Sequence, residues 1–127
     1  MEKECHYPNN LVSHIFGGIY SGEITGQMSG KFTERFEEIL ISAVGTERFV
    51  CLRHRYRDNL TYREIGELCN GISGSCVCNL IDTANRQLRH PRILRSIRGI
   101  LWQELAENQE LKVPEKLRTA CEWQKLS

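Results

Sequence analysis

Residues 60–91 constrain the fold of this chain most, because they place two helix signatures on either side of a short glycine turn. Thr61 is a good N-cap residue and Glu64 follows three positions later, so each side chain can bond an amide that the first helical turn leaves unpaired. Asn70 and Gly71 tolerate the left-handed backbone that ends a helix and turns the chain. The pattern predicts a helix-turn-helix in an all-α fold. Its first helix is predicted to bury Ile65, Leu68 and Cys69.

The second helix of the motif is predicted to begin after Ser73, whose hydroxyl can cap it. Apolar residues then recur at three- and four-residue spacing, and His90-Pro91 discourages continuation. The predicted buried positions are Val77, Leu80, Ile81, Ala84 and Leu88. The predicted outward positions are Ser75, Cys76, Asn79, Asn85, Arg86 and Arg89. This is the candidate recognition helix.

Two further helices are predicted upstream. The first spans residues 33–44, with Gly45 as its stop and Thr46 as the cap of an arginine-rich helix that reaches Tyr56. The three- and four-residue spacing of apolar residues in these helices predicts which side chains are buried in the core. They are Phe36, Ile39, Leu40, Val44, Phe49, Leu52 and Tyr56.

The sequence of residues 34–98 resembles that of domain four, the last DNA-binding domain, of the primary bacterial sigma factors. The resemblance is carried by RFVCLRHRY at 48–56, LTYREIGEL at 60–68, GIS at 71–73 and QLRHP at 87–91. In that family an arginine-rich helix precedes a helix-turn-helix, which reads the upstream promoter element through the major groove and rests on the flap of RNA polymerase. The resemblance implies a free-standing, divergent relative of this domain and not a complete sigma factor.

Two departures from the family pattern bear on function. Cys69 and Asn70 precede Gly71 where the family has one hydrophobic residue, which predicts a different angle between the two helices. The family's base-reading and phosphate-binding arginines early in the recognition helix are replaced by Gly74, Ser75, Cys76 and Cys78. Asn79 stays chemically competent as a base reader, because an asparagine can bond N6 and N7 of adenine together.

Charge is divided unevenly along the chain. Residues 48–98 hold ten arginines against four acids, whereas residues 1–47 hold three basic and seven acidic side chains, and residues 99–127 hold four and five. Arginine has a planar fork that suits phosphate and guanine. Because the excess coincides with the helix-turn-helix, it favours phosphate binding over a solvated basic face without a partner.

The sequence therefore predicts a sequence-specific, DNA-binding regulator of transcription whose partner is duplex DNA. The predicted base-facing residues are Ser75, Cys76 and Asn79. The predicted phosphate-binding residues are Arg53, Arg55, Arg57, Ser73, Arg86 and Arg89. The alternative is a protein-interaction module, of the kind that phages or mobile elements encode, that binds and modulates or inhibits RNA polymerase or another host protein. The loss of arginines from the recognition helix favours this alternative.

The six cysteines stand at irregular spacing without a CxxC pair, which favours reduced intracellular thiols over a disulfide scaffold or a zinc site. Cys51 and Cys69 are predicted to be buried, and at least one of Cys76 and Cys78 to be exposed. No triad, paired-carboxylate or nucleophile signature accompanies the histidines and cysteines, so we expect no enzymatic activity, no cofactor and no metal.

The ends of the chain are predicted to differ in structure. Residues 1–32 are rich in glycine and predict a loop-rich lead-in or a short hairpin. Residues 93–127 predict a helical extension to the domain at 33–92, with Pro114 opening the last helix. Its predicted core residues are Ile93 or Leu94, Ile97, Leu101, Leu105, Leu117, Ala120, Cys121 and Trp123. Trp102 and Trp123 leave two explanations open, packing within one chain or a homodimer or partner contact.

No apolar run in the chain is long enough to cross a membrane, and residues 1–10 lack the apolar centre of a signal sequence. We therefore expect a cytoplasmic protein without a membrane partner.

Overall fold

Side-chain caps and apolar periodicity divide this chain into helices. The computed structural model describes residues 7–17, 19–20 and 22–126, and this part of the chain is all-α apart from one isolated antiparallel bridge between Thr25 and Lys112. The helices are α1 (Asn9–Phe16), α2 (Gly30–Val44), α3 (Thr46–Tyr56), α4 (Tyr62–Leu68), α5 (Gly74–Leu88), α6 (Pro91–Glu107) and α7 (Glu115–Leu126). Within the described ranges, no helix combines the length and the apolar character needed to cross a bilayer.

Capping decides where α2 and α3 begin. The hydroxyl of Ser29 accepts a hydrogen bond from the amide of Phe32, so α2 starts at Gly30, three residues before the predicted start. The prediction that Thr46 caps α3 is wrong. Gly45 occupies that position with φ +88°, and Thr46 is already the first helical residue.

The core is formed where α2 packs against α3, α5 and α6. Phe36, Leu40 and Val44 of α2 are buried, as their spacing predicts, while Ile39 is half-buried. From α3 the core receives Phe49 and Leu52, with Tyr56 half-buried at its edge. From α5 it receives Val77, Ile81, Ala84 and Leu88, with Leu80 half-buried. The predicted apolar faces of these helices are therefore confirmed in their main positions.

The glycine-rich segment holds a helix that the sequence pattern did not predict. Helix α1 buries Leu11, Val12, Ile15 and Phe16 in the same core. Asn10 Nδ2 donates to the carbonyl of Tyr56 at 2.8 Å, which fixes α1 against the end of α3. The glycines of this segment all lie beyond α1, which ends at Phe16.

The C-terminal helices extend the core. Leu94, Ile97, Leu101 and Leu105 form the predicted stripe on α6, and Leu117 and Cys121 of α7 pack beside it. The prediction that Trp123 joins this buried side is wrong, since its side chain is 70% exposed. Packing within the chain therefore accounts for the apolar stripe.

A buried carboxylate joins α6 to the start of α2. Glu104 accepts bonds from the amide and the hydroxyl of Ser29, both at 2.7 Å, and from Asn108 Nδ2 at 3.0 Å. Burial alone would raise the pKa of Glu104, but the donors of Asn108 and Ser29, with Lys31 nearby, outweigh it and lower that pKa. The carboxylate therefore stays ionised and acts as a fixed acceptor between two helices.

Candidate nucleic-acid interface

The α4-turn-α5 unit has the local chemistry that its sequence predicts. The hydroxyl of Thr61 accepts from the amide of Glu64 at 3.1 Å, and the carboxylate of Glu64 accepts from the amide of Thr61 at 2.9 Å, which completes a capping box. Asn70 and Gly71 both have positive φ, at 63° and 71°, so the turn uses the two residues expected to tolerate that conformation.

Gly66 permits the turn to cross directly over α4. It is buried, and a Cβ added there would overlap the carbonyl oxygen of Ile72. No side chain larger than hydrogen fits at this position unless the turn moves away. The angle between α4 and α5 therefore depends on this glycine, whose role is not evident from the sequence pattern.

The start of α5 presents a polar face to solvent. The hydroxyl of Ser73 accepts from the amide of Cys76 at 3.1 Å and caps the helix as predicted. Ser75, Cys76 and Asn79 are all exposed, and Asp82 follows them on the outside. The three predicted base-facing residues thus lie close together at the N-terminal end of one helix.

Two orientations within the motif were predicted wrongly. Leu68 is 63% exposed, because α4 ends at that residue and no following turn covers its side chain. Asn85 was expected to face outward but is only 8% exposed, since its amide hydrogen-bonds the half-buried hydroxyl of Tyr56. That contact joins α3 to α5 through polar atoms, which apolar periodicity does not reveal.

Three arginines at the end of α3 are held in contacts within the fold, and we call them the α3 arginines: Arg53 and Arg55 in the helix and Arg57 at its C-cap. Arg55 Nη1 donates to the carbonyl of Leu60 at 3.0 Å, and its guanidinium lies 4.6 Å from the centre of the Tyr62 ring. Arg53 is half-buried with its guanidinium 5.4 Å from the centre of the Phe49 ring. The contacts of Arg55 support the connection from α3 to α4, whereas the contact of Arg53 lies within α3.

A short ion-pair network ends α3. Arg57 Nε donates to Asp58 Oδ1 at 2.9 Å, and His54 Nδ1 lies 2.9 Å from Asp58 Oδ2. The hydrogen bond from Arg57 lowers the pKa of Asp58, with His54 contributing less.

At the same end of α3, the Tyr7 hydroxyl donates to Glu37 at 2.8 Å, and burial together with Glu37 raises the pKa of Tyr7. The predicted phosphate contacts of α3 would have to compete with these acids.

A different set of arginines covers α5 and α6, which we call the arginine ridge. Its members recur at every third position, and no acid stands between Asp82 and Glu104 in the sequence. Arg86, Arg89, Arg92 and Arg95 are exposed, and Arg98 is half-buried. Arg86 contacts the Thr83 hydroxyl at 3.4 Å and Arg89 the His14 carbonyl at 3.1 Å, so neither is paired with a carboxylate in those contacts. The arginine ridge consists of Arg86, Arg89, Arg92, Arg95 and Arg98.

One cation beside the base-facing residues was not among the predicted site residues. Arg63 stands in the first turn of α4, with its side chain 90% exposed and Nε 3.8 Å from Glu67. The backbone of Arg63 adjoins Gly74 at the start of α5. In a helix-turn-helix the first helix crosses the DNA backbone. An arginine in the first turn of that helix, such as Arg63, could therefore have been identified from the sequence as a candidate for phosphate binding.

The thiols differ in exposure. Cys51 is buried as predicted, and burial together with the adjacent Cys69 thiol raises its pKa to about 11. Cys69 is half-buried and not fully buried, because it caps α4 at the surface turn. Cys76 is exposed and Cys78 half-buried, while Cys5 lies outside the described residues. Among the residues that the structure describes, no three metal-ligating side chains converge.

Comparisons of the chain with protein-family models, with curated proteins and with solved structures found no match in any of the three. Its function is therefore inferred from the residues and their geometry.

Proposed function

We propose that this chain is a DNA-binding regulator of transcription, a free-standing relative of domain four of the primary sigma factors. The observation that carries the proposal is the capped α4-turn-α5 unit, which leaves Ser75, Cys76 and Asn79 exposed together at the start of α5. In a helix-turn-helix this is the part of the recognition helix that meets base edges in the major groove.

Each polar group near the start of α5 has a distinct role in this proposal. Asn79 reads adenine through paired hydrogen bonds, and Ser75 and Cys76 contact neighbouring bases. Ser73 and the first amides of α5 favour a phosphate, as helix N-termini do. Arg63 binds a second phosphate beside α4. These phosphate contacts position the helix without reading sequence.

Arg86 and Arg89 extend the phosphate contacts along the duplex. Ten residues separate Cys76 from Arg86, which is about 15 Å along the helix axis at 1.5 Å per residue. The two ends of α5 are therefore far enough apart to contact different parts of the DNA, with the N-terminal residues at the base edges. Phosphate binding by Arg53, Arg55 and Arg57 stays a prediction.

Selection of preferred sites from a random duplex library tests the proposal. Asn79→Ala should then cost about 1 to 3 kcal/mol of binding free energy on the selected site and little on random duplex. Gln109→Ala, in the exposed loop after α6, is the control and should bind as the wild type does. Equal losses on both DNAs, or no binding to duplex at low salt, would contradict base reading by α5.

A second candidate function is docking on a protein such as RNA polymerase. The observation that favours it is charge, since no cation stands between Arg63 and Arg86 and Asp82 is exposed on α5. Asp82→Asn separates the two functions. If α5 lies against DNA, removing this repulsive charge should raise the affinity for every duplex. If α5 lies against a protein, duplex affinity should not respond, while binding to purified RNA polymerase should change.

A further inference from the structure

A cleft between α6 and α7 lies outside the helix-turn-helix, at the far end of the arginine ridge. Arg95 and Arg98 enter it from α6, Lys116 and Trp123 enter it from α7, and Tyr20 completes its wall. It has a volume of about 550 Å³. That is within the range of sites that hold small organic ligands.

Polar contacts fix the walls of the cleft. Gln124 Nε2 donates to the carbonyl of Arg95 at 2.7 Å, and Arg98 Nε donates to Gln124 Oε1 at 3.0 Å. Leu117 and Cys121 are buried against α6, so α7 is anchored by its apolar side. The side of α7 that carries the lysine and the indole therefore faces the cleft from a fixed helix.

The lining of the cleft combines an aromatic ring with cations. Trp123 exposes a large aromatic ring to solvent, and three cations share the cleft with it. No carboxylate belongs to the described residues that line the cleft. Aromatic platforms beside cations are how proteins hold single-stranded nucleic acid, because the ring stacks on a base while the cations meet the phosphates.

We propose that this cleft binds a nucleotide unit, with its base stacked on Trp123 and its phosphate bound by Arg95 and Lys116. A second copy of the chain is disfavoured as the occupant, because twofold symmetry would bring these cations against each other. The nucleotide can come from a single strand or from free solution, since both present a base and a phosphate. The cleft is separate from α5, so this inference does not rest on the proposed function.

Tryptophan fluorescence tests the inference directly. The chain has two tryptophans, so Trp102→Phe leaves Trp123 as the reporter. The probes are a short oligothymidylate, thymidine monophosphate and inorganic phosphate. We expect quenching of Trp123 by the oligothymidylate, with log affinity falling against log salt at a slope of about −0.7 per phosphate bound. If thymidine monophosphate binds with an affinity comparable to that of the oligothymidylate, the ligand is a free nucleotide. If the oligothymidylate binds much more tightly, the ligand is a single strand.

Variants in the wild-type background, measured by anisotropy of a labelled oligothymidylate, complete the test. Trp123→Ala should weaken binding about tenfold, because the base no longer stacks on the indole. Lys116→Ala should make the salt slope shallower by about 0.7. Arg118→Ala is the matched control, an exposed cation of α7 that does not line the cleft, and should change neither quantity.

Failure of the inference is distinguishable from failure of the proposed function. Absence of quenching, displacement by inorganic phosphate as effective as by thymidine monophosphate, or equal losses in Trp123→Ala and Arg118→Ala would overturn the nucleotide site. Asn79→Ala should leave oligothymidylate binding intact, and loss of binding in that variant would place the strand on α5 and overturn it too.

Discussion

The α3 arginines and the arginine ridge use the same side chain in opposite ways. Arg55 is stacked on Tyr62 and bonded to the carbonyl of Leu60, and Arg57 is paired with Asp58. Arg86 and Arg92, on the ridge, are exposed, and neither forms an ion pair with an acid of the described residues. An arginine-rich segment can therefore serve the fold in one place and present charge to solvent in another.

This difference ranks the phosphate-binding candidates. A guanidinium that already binds protein acceptors must give up those bonds to reach a phosphate, whereas an exposed one loses mainly water. The exposed arginines of the ridge and Arg63 are therefore better placed than the α3 arginines to bind DNA phosphates, although the sequence pattern predicts phosphate binding for the α3 arginines as well as for Arg86 and Arg89. Substitutions in the two regions should accordingly change different measured quantities.

The largest expected effect is on stability. Arg55→Ala removes a hydrogen bond and a cation–π contact that hold α3 to α4, and should lower the free energy of unfolding by about 1 to 3 kcal/mol. Urea denaturation followed by circular dichroism measures it. Arg92→Ala is the control from the ridge and should stay within about 0.5 kcal/mol of the wild type. Equal losses in both variants would remove the distinction between the two regions.

A smaller effect, on binding, should appear when the ridge is changed. Replacing Arg86 and Arg89 together by Ala should make the slope of log affinity against log salt, measured on random duplex, shallower by about 0.9 for each phosphate that is no longer bound. Arg53→Ala should leave that slope unchanged while lowering stability, because its guanidinium packs on Phe49. If Arg53→Ala made the slope shallower and the double replacement of Arg86 and Arg89 did not, the phosphate contacts would have to be assigned to α3.

Local chemistry made much of the fold predictable from sequence. The capping box at Thr61, the cap at Ser73 and the positive φ angles of Asn70 and Gly71 depend on residues within a few positions of one another. The apolar faces of α2, α5 and α6 follow from periodicity alone. These features require no knowledge of which helix packs on which.

What the sequence could not predict depends on tertiary contacts. The burial of Asn85 requires Tyr56 to lie opposite it, and the role of Gly66 requires the turn to cross α4. Helix α1 is short and marginal by itself, so its stability comes from packing on the core and from the bond to Tyr56. The engagement of Arg55 is of the same kind, since Tyr62 and Leu60 belong to the next segment of chain.

The smallest expected effect is a pH dependence at the end of α3. The hydrogen bond from Arg57, with a lesser one from His54, lowers the pKa of Asp58 below its ordinary value. A carboxylate whose pKa is lowered on folding stabilises the fold above its unfolded pKa, and loses that contribution as the pH falls through its folded pKa. Because the pair is largely exposed, the change should be below about 1 kcal/mol.

Denaturation midpoints compared between neutral and acidic pH measure this contribution. Asp58→Asn should show a smaller loss of stability on acidification than the wild type. Asp82→Asn, whose carboxylate lies on α5 away from this network, is the matched control and should lose stability as the wild type does. An Asp58→Asn profile that superimposes on the wild-type profile would show that the ion pair does not hold α3.

Crosslinking from Cys76 tests the central claim, that the start of α5 lies against DNA bases. Cys76 is exposed, and replacing Cys5, Cys69 and Cys78 by Ser leaves it as the accessible thiol beside buried Cys51 and Cys121. A photoactivated crosslinker on Cys76 should form adducts with bases in the major groove of a selected duplex. The same reagent on Arg118→Cys, in that background with Cys76 also replaced by Ser, should not. Adducts from Cys76 on RNA polymerase but none on duplex DNA would contradict the claim and establish α5 as a protein-docking helix.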